Sequence, residues 1–163
     1  MDMNILNGKR ILVVDDEPDI LETVSDSFET ATIVGAGGFD EARRLIEKES
    51  FDLAILDIMG VNGFALLEAC RANKLPAVML TAHAINLESL NVAVRLGAVS
   101  FLPKEELERL PELVAEILED LAKGQTHWAR LFKRLGPFFK EKLGVLWDDD
   151  DDENNKFPKT FYY

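Results

Sequence analysis

The amino-acid sequence predicts an α/β fold: a doubly wound five-stranded parallel sheet with helices on both faces, followed by a C-terminal helical extension. Five short apolar runs rich in β-branched residues recur at regular intervals. Between them lie helix-length segments whose apolar residues repeat about every 3.6 positions. Strands that are apolar along their whole length are typical of parallel sheets, because each crossover helix packs its apolar stripe against the sheet.

The five predicted strands are short and continuous in their apolar character. They cover residues 11–14, 32–34, 53–56, 77–80 and 99–102. Their lengths and their alternation with helical segments favour strand–helix units over a meander of antiparallel strands.

The predicted helices are bounded by proline and glycine. Pro18 stands where the first helix begins, and Gly63 opens the third. Gly97 closes the fourth helix and Gly124 ends the fifth, as glycine does after many helices. We therefore divide the chain into an α/β domain over residues 1–123, an amphipathic helical extension over 124–147 and an acidic tail over 148–163.

Composition and charge narrow the class of protein. Of the 163 residues, 47% are hydrophobic and 29% charged, as in globular proteins. The first ten residues lack the features of a secretion signal, and no run approaches the roughly 18 apolar residues of a membrane span. A single cysteine, Cys70, excludes an internal disulfide and fits a reducing compartment. We expect a cytoplasmic protein.

The negative charge lies in the α/β domain. Residues 1–123 hold 11 basic and 23 acidic side chains, and residues 124–163 hold 7 of each. An acidic domain repels the phosphate backbone, so we expect no direct contact between this domain and nucleic acid.

Polar side chains stand where the predicted strands end. Asp15 and Asp16 follow the first strand, Asp57 follows the third, Thr81 the fourth, and Lys104 the fifth. Ligands of doubly wound sheets bind beyond the carboxyl ends of the strands, where these five residues meet. Clustered carboxylates repel one another unless a divalent cation compensates, and an all-oxygen ligand set suits Mg²⁺. A lysine and a hydroxyl beside it suit phosphoryl oxygens.

These motifs resemble the receiver domains of two-component response regulators. The resemblance covers roughly residues 8–123 and is carried by DDEPDI, LDIM, LTAHA and SFLPK. It implies the flavodoxin-like strand order 2-1-3-4-5 of chemotaxis regulators. It also implies that Asp57 accepts a phosphoryl group and that Asp15, Asp16, Asp57 and the Met59 carbonyl bind Mg²⁺. Thr81 is then the switch hydroxyl, Lys104 contacts the phosphoryl group, and Phe101 is the aromatic switch residue.

The resemblance further implies a role in a two-component system or phosphorelay. The protein would be a phosphoacceptor that catalyses at most its own phosphoryl transfer and dephosphorylation, and would not be an enzyme in the usual sense. Its partners would be a sensor histidine kinase or a phosphotransfer protein, and a downstream protein target. The face of helix 4, strand 5 and helix 5 would switch on phosphorylation, and a homodimer through this face is a further hypothesis.

Two departures from the receiver pattern leave a second function open. The loop after Asp57 reads IMGVNG, two residues shorter than is common and without the usual proline, and Glu105 follows Lys104 where receivers have proline. The alternative is a pseudo-receiver that is not phosphorylated and acts as a protein-interaction or membrane-surface module.

The C-terminal extension carries its own amphipathic pattern. Trp128, Leu131, Phe132 and Leu135 fall on one helical face, with basic residues elsewhere. Three hypotheses stay open: packing on its own or a sister domain, binding in a groove of another protein, and contact with a membrane surface. The acidic run 148–153 is expected to be disordered. The extension lacks a DNA-recognition pattern, so direct transcriptional control is not expected.

Overall fold

The computed structural model describes residues 2–81, 87–125 and His127. Its sheet contains five parallel strands in the order β2-β1-β3-β4-β5. This confirms the predicted fold class and strand order. The strands are β1 (Arg10–Val14), β2 (Thr32–Ala36), β3 (Leu53–Asp57), β4 (Ala77–Thr81) and β5 (Ser100–Pro103).

The strands pair in a register that aligns their carboxyl ends. Val14 of β1 lies opposite Ala36 of β2, and the same residue lies opposite Leu56 of β3. On the other side of β3, Asp57 pairs with Leu80. The polar strand-end residues predicted from the sequence therefore all lie at the carboxyl ends of the strands, on the same end of the sheet.

Helices connect successive strands at the predicted places. The five α-helices are α1 (Pro18–Ser27), α2 (Phe39–Lys48), α3 (Gly63–Ala72), α4 (Leu87–Arg95) and α5 (Leu110–Ala122). Pro18 and Gly63 are the first residues of α1 and α3, as predicted. Gly97 and Gly124 follow α4 and α5 with φ of +92° and +71°, a left-handed conformation that ends a helix and that glycine adopts without strain.

Two short 3-10 helices complete the described elements. They comprise Met3–Leu6 before β1 and Lys104–Arg109 between β5 and α5. The sequence pattern did not predict either one, because a single 3-10 turn is too short to show a periodicity.

The core forms two layers, one on each face of the sheet. Leu12 and Val14 of β1 face a layer that also contains residues of α2, α3 and α4. Ile11 and Val13 face the opposite layer, which contains residues of α1 and α5. Alternate side chains of one strand thus enter different layers, which explains why the strand is apolar along its whole length.

The extension 124–147 and the tail 148–163 predicted from the sequence lie outside the described residues, apart from Gly124, Gln125 and His127. In the described part of the chain, no helix combines the length and the apolar character needed to cross a bilayer.

Candidate functional site

Asp15 occupies the centre of the strand-end site. Its backbone N–H donates to the Ala36 carbonyl at 3.1 Å, which extends the pairing of β1 and β2 by one residue. Its Oδ1 accepts a hydrogen bond from the Glu17 N–H at 2.9 Å, and the residue is fully buried. The local backbone therefore fixes this carboxylate before any ligand arrives.

Asp57 is the last residue of β3 and is almost completely buried. Burial, followed by the negative charge of Asp15, raises the pKa of its carboxyl from 3.8 to about 6. The charge of Lys104 and a hydrogen bond from the Met59 N–H lower the pKa and limit this rise. The Asp57 carboxyl is therefore still mostly ionised at pH 7, but less completely than that of an ordinary aspartate.

Lys104 is the cation that links the two sides of the site. Its Nζ lies 3.0 Å from Asp15 Oδ2, 3.2 Å from Glu17 Oε1 and 3.7 Å from Asp57 Oδ2. Burial lowers the pKa of Lys104, but the hydrogen bond to Asp15 and the charge of Asp57 outweigh it, so the pKa is raised overall. One ammonium group thus contacts acidic side chains that follow two different strands.

The acidic side chains outnumber the basic group available to them. Carboxylate oxygens of Asp15, Asp16 and Glu17 lie within 4.8 Å of one another, and Asp57 adds a fourth carboxylate across Lys104. A single ammonium cannot neutralise four carboxylates, and a hard divalent cation with oxygen ligands would supply most of the missing charge. The oxygen donors fit Mg²⁺, and Asp15, Asp16 and Glu17 lie close enough together to share one ion; Asp57 as a further ligand stays a prediction.

The short loop after β3 packs tightly against this site through two glycines. Gly60 has φ of +85°, and a Cβ placed on it would lie 2.6 Å from Asp16 Oδ2. A Cβ on Gly63 would collide with the Asp57 carbonyl. Asn62, between them, is left-handed with φ of 54°. The loop can follow this path because glycine stands at its two points of closest approach.

Met59 lies in the same loop, with a side chain that is 72% exposed. Its N–H faces Asp57, as described above. The role of its carbonyl as a metal ligand stays a prediction.

Thr81 and Phe101 occupy the neighbouring strands β4 and β5. Thr81 is buried at the end of β4, and no described residue hydrogen bonds to its Oγ1. Such a buried hydroxyl is costly unless it meets a partner, which a phosphoryl oxygen would provide. Phe101 is fully buried in the core layer shared with α3 and α4. Ala82 and His83, which follow Thr81, lie outside the described residues.

Two contributors to the site are not among the residues predicted from the sequence. Glu17 directly precedes the predicted first helix, and its carboxylate joins both the acidic cluster and Lys104. Its position as the third acid of DDE was the available signal. Gly60 lies in the short loop after Asp57. Its close approach to Asp16 depends on the path of that loop in the folded chain, which the local sequence does not reveal.

Comparison with known proteins gives a consistent result. The family model of the response regulator receiver domain matches residues 11–117. The response regulator protein PilR of Pseudomonas aeruginosa is 34% identical over 120 residues, which cover 69% of this chain and 27% of PilR. The regulatory protein VanRc of Enterococcus gallinarum is 35% identical over 102 residues, covering 60% and 44%. The chain thus spans less than half the length of either relative.

A solved structure shows the same fold. The CheY-like response regulator receiver domain protein from Methanospirillum hungatei JF-1 superposes with a TM-score of 0.66 at 30% identity. The match covers 72% of this chain and 99% of that one.

The raised pKa of Asp57 predicts a stability effect in the metal-free protein. Because the folded pKa of about 6 exceeds the ordinary value of 3.8, the folded state binds the Asp57 proton more tightly than the unfolded state does. Stability is therefore lost as pH rises between these two values. Asp57→Asn has no proton to lose, so we expect it to be more stable than the wild type at pH 8, by at most about 3 kcal/mol.

Urea unfolding in the presence of a chelator measures this difference, which should vanish below about pH 4. Asp26→Asn, an exposed acid on α1, is the control and should change stability by less than about 0.5 kcal/mol. A destabilised Asp57→Asn variant at pH 8 would contradict the electrostatic account.

Proposed function

The chain belongs to the response regulator receiver domain family, and we propose that it accepts a phosphoryl group on Asp57 in a Mg²⁺-dependent reaction. Receiver domains are signalling phosphoacceptors. The observation that carries the proposal is the position of Lys104, whose Nζ contacts the acidic cluster after β1 and the Asp57 carboxylate at the end of β3. A phosphoryl group bound to Asp57 would meet the same ammonium.

The metal would be held by the side chains of Asp15, Asp16 and Asp57, with the Met59 carbonyl as a further ligand. When bound, Mg²⁺ supplies positive charge to the non-bridging phosphoryl oxygens. The chemistry of the cluster supports this assignment, because carboxylates crowded within 4.8 Å are favourable only with a compensating cation.

The reaction is a displacement at phosphorus. The ionised Asp57 carboxylate attacks the phosphorus of a phosphohistidine, a new O–P bond forms, and the N–P bond breaks as the electron pair returns to the imidazole nitrogen, which takes up a proton. Lys104 stabilises the charge on the transferred group, and the fixed geometry of Asp57 supplies positioning. Water later cleaves the acyl phosphate and regenerates Asp57, so the chain catalyses at most its own gain and loss of phosphate.

The pKa of Asp57 fits this role. At about 6, it leaves the carboxylate largely ionised, and therefore nucleophilic, at pH 7 and above. A cation bound beside Asp57 would favour the ionised, nucleophilic form further.

Phosphorylation would act as a switch through Thr81 and Phe101. The Thr81 hydroxyl, which no described residue bonds, would hydrogen bond to a phosphoryl oxygen. Phe101 would adjust its packing in the space that Thr81 leaves. The surface formed by α4, β5 and α5 would then shift between two pre-existing arrangements.

The partners follow from this chemistry. A sensor histidine kinase or phosphotransfer protein would supply the phosphoryl group, and a downstream protein target would read the switched surface, which also offers a site for a homodimer. The excess of acidic residues in 1–123 disfavours direct contact of this domain with nucleic acid. The single buried thiol, Cys70, fits a cytoplasmic location.

Phosphorylation of Asp57 can be tested by mass. Incubation of the full chain with phosphoramidate and Mg²⁺ should add one phosphoryl group, detected by intact-mass spectrometry, and a chelator should abolish the addition. Asp57→Asn should gain none, because an amide cannot form the acyl phosphate. Asp26→Asn should react like the wild type. A wild-type chain that stays unmodified would instead support the pseudo-receiver alternative.

The contact between Gly60 and Asp16 predicts a selective loss of metal affinity. In Gly60→Ala the new methyl group displaces the Asp16 carboxylate from the metal site, so the Mg²⁺ dissociation constant should rise several-fold or more. The control is Gly8→Ala, because Gly8 has a similar φ of +72° but nothing within 4 Å of the added Cβ.

Both alanine variants carry the backbone strain of a positive φ, on the order of 1–2 kcal/mol. We therefore expect similar losses of stability in urea unfolding, whereas calorimetric Mg²⁺ titration should separate them. Equal Mg²⁺ affinities for Gly60→Ala and Gly8→Ala would refute the role of the Gly60 contact.

A further inference from the structure

A second polar cluster lies away from the strand-end site, around His127. His127 is fully buried, and its Nδ1 lies 2.7 Å from Ser100 Oγ on β5. Its Nε2 lies 3.2 Å from Glu116 Oε2 on α5. A proton on Nε2 is donated to the Glu116 carboxylate in this arrangement, and Nδ1 can then accept from the Ser100 hydroxyl. The receiver chemistry described above uses none of these residues.

The trio is a structural cluster and not a catalytic one. Hydrolase triads contain the same residue types, with the histidine in contact with both the serine and the glutamate. Here, however, Ser100 and His127 are 0% exposed and Glu116 is 5% exposed, so a substrate has no access to the serine hydroxyl. Polar groups buried to this degree hold chain segments in a defined relation to one another.

The position of His127 shows that the chain reverses direction after α5. Gly124 is left-handed, and the Gln125 N–H donates to the Asp120 carbonyl at 2.8 Å, which closes the turn. His127 then lies beside Glu116, six residues before the end of α5. The His127 side chain thus contacts both α5 and β5, so the chain after Gly124 turns back toward these elements and does not continue the helix.

The burial of α5 indicates a further layer on this helix. Leu113 and Ile117 are buried in the core layer that α1 and α5 form with the sheet. Ala115 projects about 160° away from both of them at 100° per residue, yet it is 0% exposed. A helix that covers one face of a sheet normally leaves that direction to solvent. Part of the outer side of α5, around Ala115 and Glu116, is thus packed against protein, whereas Glu112 and Glu119 on the same side stay partly exposed.

We propose that residues 128–147 are the internal partner of this surface, and that they pack across the outer side of α5 and the free edge of β5. The chain enters the surface at His127 and continues directly into this segment. β5 is the terminal strand of the sheet, so one of its edges has no neighbouring strand among the described residues. An edge of this kind is stable when another segment covers it.

Apolar pattern and charge both match the segment to the surface. The sequence pattern places Trp128, Leu131, Phe132 and Leu135 on one apolar face of a predicted helix, which could cover α5. Residues 105–123 hold seven acidic and two basic side chains, whereas residues 128–147 hold five basic and one acidic. Opposite net charges favour this pairing and disfavour a second copy of the acidic domain at the same place.

The chain's own tryptophans provide a direct test. The sequence contains two, Trp128 and Trp147, and both lie in the proposed segment, so tryptophan fluorescence of the full chain reports on nothing else. We expect blue-shifted emission and weak acrylamide quenching in dilute, metal-free protein. His127→Ala, which breaks the contacts to Ser100 and Glu116, should shift the emission to the red and raise the quenching constant at least two-fold.

A variant within the segment keeps the test independent of domain stability. Leu131→Gln combined with Leu135→Gln removes the apolar contact without touching the domain, and should give the same red shift. Arg130→Gln, on the opposite helical face, is the matched control and should leave the emission close to that of the wild type. Far-UV circular dichroism establishes that each variant is folded.

Three outcomes would overturn the proposal. Wild-type tryptophans quenched as fully as those of the double variant would show that the segment does not pack on the domain. A blue shift that appears only as protein concentration rises would assign the surface to a second copy. A blue shift that appears only with anionic phospholipid vesicles would assign the segment to a lipid surface. No phosphodonor is used, so the result is independent of whether Asp57 is phosphorylated.

Discussion

The electrostatic balance around Asp57 is the constraint on which the rest of the site depends. A carboxylate buried beside Asp15 is unfavourable in its ionised form, and Lys104 offsets only part of that cost. This imbalance disfavours the ionised form of Asp57 in the metal-free protein, and a divalent cation among the carboxylates would relieve it. Charge arrangements that lower stability in this way are typical of functional sites.

The parallel sheet is what makes the gathering of these groups possible. Four of the five strands, β1, β3, β4 and β5, end in or are directly followed by a site residue, and the register of β1, β3 and β4 aligns those ends. The crossover helices pack on the two faces of the sheet and not over the carboxyl ends of its strands. In the loop after β3, Gly60 and Gly63 allow the chain to pass close to Asp16 and Asp57, because a side chain at either position would occupy the space of those groups.

The two polar clusters lie at opposite ends of β5. Lys104 directly follows β5 and contacts the acidic site, whereas Ser100 begins β5 and contacts His127. Phe101, next to Ser100, enters the opposite core layer. A change in the packing of β5 would therefore be felt both at the strand-end site and where the chain turns back over α5.

The sequence by itself determined the fold class, the strand order expected from the family resemblance, and the strand-end positions of Asp15, Asp57, Thr81 and Lys104. Local patterns suffice for the fold class and the strand-end positions, because apolar periodicity and helix-bounding residues depend on near neighbours, whereas the strand order is implied by the resemblance alone. Only the tertiary structure decided that Glu17 shares Lys104, that Gly60 contacts Asp16 and that His127 joins Ser100 to Glu116. Those contacts join residues distant in the chain, or depend on the exact path of a loop, and no local pattern encodes them.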